Sequence, residues 1–169
     1  MSLNEIIACV TMIVAIIGFV FSCYQWRQKV QSERAEKLLH LIKLLRNDMQ
    51  QLSVLYTIDY GEQWYDCSFH NSEKEAEVDR FLSFYEYILY LRSNHTISER
   101  EFCFFEYDIT RIVGNPDIQA YLFNLYHFSR HNNATFSYQN ILDYGMQKGC
   151  IVPSSFDEKS NKYKHCLIP

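Results

Sequence analysis

Two histidines four residues apart, in His127-Phe128-Ser129-Arg130-His131, are the side chains best spaced for chemistry. On a helix, positions i and i+4 share a face, so both imidazoles could reach one metal ion. The spacing mimics the zinc motif H-E-x-x-H but lacks its glutamate. Glu106 or Asp108 would have to complete the ligand set from a neighbouring helix. The competing reading is a surface pair near a helix end, where a cationic imidazole complements the helix dipole. Cys67-Ser68-Phe69-His70 is a second Cys/His pair, and two ligands fall short of what zinc takes. Cys103 with His95 or His127 would make a nucleophile and a base, but it sits among Phe102, Phe104 and Phe105. An apolar setting raises a thiol's pKa and makes it inert. The five glycines are dispersed, with no phosphate-binding G-K-[ST] loop and no G-x-S-x-G. The expectation is no catalytic residue, no bound metal and no cofactor. The alternative is a membrane-tethered, metal-dependent enzyme built on His127, His131 and nearby acids.

The element that must position everything else is Ile6 to Trp26, which holds no charged residue between Glu5 and Arg27. Twenty-one helical residues rise about 30 Å, the thickness of a bilayer's hydrocarbon core. Tyr24 and Trp26 stand where an interfacial aromatic belt would be. A cleaved signal peptide would start with basic residues, and Met1 to Glu5 has none. Phe21-Ser22-Cys23 only faintly suggests a lipoprotein signal. A transmembrane helix is therefore expected over 6–26. Arg27, Lys29, Arg34 and Lys37 follow it closely and are expected to contact the membrane surface. By the positive-inside rule they place the C-terminal side in the cytoplasm and residues 1–5 outside the inner membrane.

The remaining chain, within 169 residues in all, suffices for one compact domain. Aromatics make up 16% of the sequence, favouring a packed helical core over disorder. Residues 27–56 carry six basic and three acidic groups, whereas 57–169 carry ten basic and sixteen acidic. That acidic balance argues against a nucleic-acid partner. The six cysteines form no C-x-x-C pair, which suits a reducing compartment. The sequons at Asn94 and Asn133 would matter only in a eukaryotic secretory compartment.

A basic amphipathic neck helix is expected over 27–56, where Pro and Gly are absent. Leu38, Leu41, Leu45, Met49 and Leu52 recur on one stripe. That stripe packs either on the protein's own domain or on a second copy as an oligomerisation seam. A loop covers Asp59 to Asn71, and a helical domain is expected over 57–149. Ser72-Glu73-Lys74-Glu75 reads as a capping box opening a helix to about Ser93. That helix is apolar except for a narrow stripe of Asp79, Ser83 and Glu86, so it should be central. Ser98 and Glu101 form a second box, opening a helix with Phe102, Phe105, Ile109 and Ile112 inward and Gly114 as its stop. Asn115-Pro116 starts the next, with Ile118, Tyr121, Leu122, Leu125 and Phe128 inward. Ser137 is the expected N-cap of a last helix over Tyr138 to Lys148, with Gly149 as its stop. Residues 150–169 read as a polar tail. The fold class is all-α: one N-terminal transmembrane helix continuing into a cytoplasmic helical bundle.

The segments Arg80-Phe81-Leu82-Ser83-Phe84-Tyr85-Glu86, Tyr90-Leu91-Arg92, Ile97-Ser98-Glu99-Arg100-Glu101 and Phe105-Glu106-Tyr107 resemble small single-pass bacterial membrane proteins of unknown function. Some of these look like phage-defence components of the abortive-infection type. These segments are packing and capping patterns and transfer no catalytic residue. The resemblance implies an anchored interaction module, a self-associating effector or a sensor. Its partners would be the lipid bilayer and either a second copy or another protein. Small residues Ala8, Thr11, Ala15, Gly18 and Ser22 would permit close approach of two spans.

Overall fold

The computed structural model describes residues 3–60, 63–66 and 68–156. Among them there is no strand. There are six α-helices: α1 (Leu3–Asn47), α2 (Met49–Tyr60), α3 (Glu73–Ser93), α4 (Glu99–Gly114), α5 (Pro116–His131) and α6 (Gln139–Gln147). A single 3-10 turn, Pro153–Phe156, follows. The protein is all-helical, with one helix near its N-terminus long and apolar enough to cross a membrane. The chain divides after Leu45 into two compact units.

The first unit is the helix α1 up to that point. None of its apolar window is buried, and Ile13, Ile17, Phe19 and Trp26 are all more than half exposed. Its hydroxyls are satisfied inside the helix: Thr11 donates to the Ile7 carbonyl (2.9 Å) and Ser22 to that of Gly18 (2.8 Å). Such back-bonding hides polar groups from an apolar solvent.

The neck does not run on to Tyr56 as one helix. α1 ends at Asn47, and the Asp48 carboxylate accepts the N–H groups of Gln50 (3.0 Å) and Gln51 (3.4 Å), starting α2. Asp is a strong N-cap because its side chain replaces the carbonyls that the first turn lacks. That local competition breaks the helix without any Pro or Gly.

In the second unit α3 is central, packing against α2, α4 and α6. Phe81, Leu82, Tyr85 and Ile88 are fully buried. α4 turns Phe102, Phe105, Ile109 and Ile112 inward as its spacing predicts. Ser98 and Glu101 make the full reciprocal box. The box at Ser72 is only half formed. Ser72 accepts from the Glu75 N–H (3.2 Å), but the Glu75 carboxylate reaches past it to the Asn71 N–H and to His70 Nδ1.

Four further expectations need correction. Gly114 lies inside α4, and the chain turns at extended Asn115 (φ −76°, ψ 126°), whose side chain caps α5. Ser137 does not cap α6; the Glu86 carboxylate on α3 accepts the N–H groups of Asn140 (3.0 Å) and Ile141 (2.9 Å) instead. Phe128 is 41% exposed, while Phe123, Asn124 and His127 are buried. The cause is the segment after Cys150, which is not all tail: Ile151, Ser155 and Phe156 are buried, and Phe156 packs on Phe123 (5.6 Å between ring centroids). Ile151 lies against Gly145, where a Cβ would collide with its side chain. Gly149, with φ +71°, ends α6 as expected.

Of the polar stripe expected on α3, Ser83 is exposed, while Asp79 and Glu86 are half-buried and, with Glu75, accept hydrogen bonds from other segments. Glu75, Asp79 and Glu86 fall at i, i+4 and i+11, which repeats on one helix face. Asp79 accepts the hydroxyls of Tyr121 (2.6 Å) and Tyr138 (2.9 Å). Glu75 accepts from His70 Nδ1 (2.8 Å), and His70 Nε2 then accepts from the Tyr65 hydroxyl (3.0 Å). Burial pushes the phenols of Tyr65, Tyr121 and Tyr138 well up, so all three remain donors.

Asp79→Ala should remove the nearest acceptor of two buried hydroxyls, leaving Tyr121 the longer bond to Glu75 (3.3 Å) and Tyr138 the residue-79 backbone carbonyl (3.5 Å), and lower the unfolding free energy by about 1–3 kcal/mol. Tyr138→Phe, which removes one donor and leaves Asp79 bonded to Tyr121, should cost about 1 kcal/mol. Urea denaturation followed by circular dichroism measures both.

Candidate functional site

The residues singled out for chemistry do not converge. His127 is buried between Phe123 and Tyr126, and its Nε2–H donates to the Phe156 carbonyl (3.1 Å). It pins the 3-10 turn to α5. His131, on the last residue of the same helix, is exposed. Glu106 is engaged by Lys148 Nζ (2.8 Å) and lies beside the Tyr144 hydroxyl. The Lys148 hydrogen bond holds the Glu106 carboxyl below its ordinary range. Asp108 lies between the Tyr85 hydroxyl (3.3 Å) and Arg111 (3.6 Å). Cys103 is exposed rather than enclosed by its phenylalanine neighbours, and so is His95. Cys67 falls outside the described residues, while His70 belongs to the Glu75–Tyr65 chain. Among the described residues no group of three or more His, Cys, Asp or Glu could hold a metal ion.

The expected membrane-surface residues Arg27, Lys29, Arg34 and Lys37 are all exposed on α1. At about 100° per residue Arg27 and Arg34 lie close together, Lys37 beside them and Lys29 at the far edge, so the four spread over roughly one half of the helix. The expected seam is divided. Leu38 and Leu41 are half-buried and Leu45 is buried on α1, whereas Met49 is 76% exposed and Leu52 half-buried on α2. Asp48 places three of the five residues on α1 and two on α2.

The structure presents instead an aromatic face in the second unit. On α2, Tyr56 (57% exposed) and Tyr60 (78%) stack with ring centroids 6.3 Å apart, in line with Met49. On α4, Phe104 (64%) and Tyr107 (71%) stand one turn apart. Asp59 of α2 and Arg111 of α4 form an ion pair, and the Arg111 guanidinium lies 5.1 Å from the centre of the Tyr107 ring. This joins the two helices' aromatic rows. Large, rigid rings with a polar tip suit a contact surface. Met49 belongs to the stripe expected either to pack on the protein's own domain or to meet a second copy. The available signal was on α4: Phe104 and Tyr107 lie off its inward face, where an amphipathic helix ordinarily carries charge.

Comparison of the chain with protein-family models, with curated proteins and with solved structures finds no match.

Burial raises the Asp108 carboxyl above its ordinary range, with the Tyr85 hydroxyl bond and Arg46 opposing it. The folded chain therefore takes up this proton more readily than the unfolded chain. Ionised Asp108 weighs against folding at neutral pH, and the burden vanishes once the pH falls below the ordinary carboxylate value of about 3.9. Asp108→Asn should melt slightly above the native chain at pH 7, with the difference shrinking to zero by about pH 3.5. Paired thermal melts across that range measure it.

Proposed function

We propose that this protein is a single-pass, membrane-anchored helical interaction module. α1 crosses the inner membrane with its N-terminus outside, and the unit formed by α2 to α6 works in the cytoplasm. One observation carries this reading: the long apolar part of α1 is wholly exposed, while the second unit closes its own core. An exposed apolar helix of that length needs an apolar solvent. The back-bonded Thr11 and Ser22 and the cluster of basic residues after Trp26 support it. The second unit acts by contact: its polar interior is engaged in holding the fold, and its aromatic face is open. The resemblance of the Arg80–Glu86 and Ile97–Glu101 segments to phage-defence membrane proteins makes a defence effector or sensor the biological role proposed.

A charge at the centre of a transmembrane helix costs about 2.5–3.5 kcal/mol. Ile13→Asp with Ile17→Asp should therefore move the chain from the alkali-washed membrane pellet to the supernatant. The native chain should stay in the pellet. A native chain found mainly in the supernatant would refute the anchor.

A further inference from the structure

We infer that the aromatic face of α2 and α4 is a self-association surface, and that its occupant is the same face of a second copy. The inference rests on the anchored reading above. Charge singles out the occupant. Residues 57–169 carry sixteen acidic and ten basic groups, so two copies repel through most of their surfaces. Met49, Tyr56, Tyr60, Phe104 and Tyr107 are uncharged, and the two acids beside them, Asp59 and Asp108, are both paired with Arg111. A like-charged copy meets less of its own charge at this face than over the rest of the acidic surface, and charge depletion at the core marks protein interfaces.

Symmetry points the same way. Two identical chains anchored in one membrane share the bilayer normal as a common direction. A two-fold contact, in which each copy uses the same patch, needs that alignment. Area sets the strength. Aromatic side chains bury about 150–250 Å² each, so the four rings and Met49 offer roughly 600 Å² per copy. Pairing would bury roughly 1,200 Å² in total, the lower bound for a specific interface. Such a pair is weak between free molecules and is helped by confinement in a shared membrane, which raises effective concentration. The contact is therefore sensitive to how densely the protein is anchored.

The test is photo-crosslinking of the full chain in native membranes, with a benzophenone side chain at Tyr60 (78% exposed) or, as a control away from the face, at the exposed Tyr87 on α3 (50%). Tyr60 should give an adduct of two 20.2 kDa chains, and Tyr87 at least fivefold less. Tyr56→Asp with Tyr107→Asp should lower the Tyr60 adduct at least fivefold. Both residues are exposed, so the protein level and its thermal melt should hold. Equal adducts at the two positions, adducts with a different protein or with lipid, or no adduct at Tyr60 would each overturn the inference while leaving the anchor standing. A dimer adduct from chain in the soluble fraction would overturn the anchor and keep the contact.

Discussion

A carboxylate taken out of water costs several kcal/mol unless donors replace the hydration it loses. α3 carries three of them along one stripe, and what they accept determines where the irregular parts of the second unit lie. Glu75 holds His70 and the Asn71 N–H, which fixes the end of the loop before α3. Asp79 holds Tyr121 and Tyr138, joining α3 to α5 and to the approach of α6. Glu86 caps α6 from across the fold. Apolar packing alone tolerates sliding and repacking, because burial is non-directional. Hydrogen bonds to charged acceptors add direction, and they define one arrangement of segments that have no periodicity of their own.

Several polar groups considered for chemistry are engaged in structure: His127 on the Phe156 carbonyl, Glu106 on Lys148, His70 on Glu75 and Tyr65. His95, Cys103 and His131 are exposed. Two apolar features are exposed as well. One is the long run of α1, and the other is the row of Tyr56, Tyr60, Phe104 and Tyr107. The first matches the chemistry of a bilayer, and the second that of another protein surface.

Much of the helical framework was legible from local signals. The uncharged run from Ile6 to Trp26, the Ser98–Glu101 box, Asn115-Pro116 and Gly149 each act within a few residues, so the sequence displays them directly. What escaped was either a competition or a long-range partner. Asp48 caps α2 at the expense of a continuous neck, although nothing in the apolar spacing marks it. Ser137 had the right chemistry for a cap but lost to Glu86, more than fifty residues away. The stripe of Asp79 and Glu86 looked like a solvent face because its donors, Tyr121 and Tyr138, lie far along the chain. Phe156 restored a burial preference that the polar run around it concealed. The aromatic face was not legible because exposed rings at helical spacing read the same as a buried stripe.

The account depends most on which side of the membrane the second unit occupies, and paired cytoplasmic and periplasmic reporters fused after Pro169 measure that directly. Activity only from the cytoplasmic reporter is the predicted result. It would place α2 to α6 inside, with α1 as the single span and the basic residues from Arg27 to Lys37 at the inner surface. Activity from the periplasmic reporter would contradict the account, reversing the orientation or making the N-terminal segment an export signal.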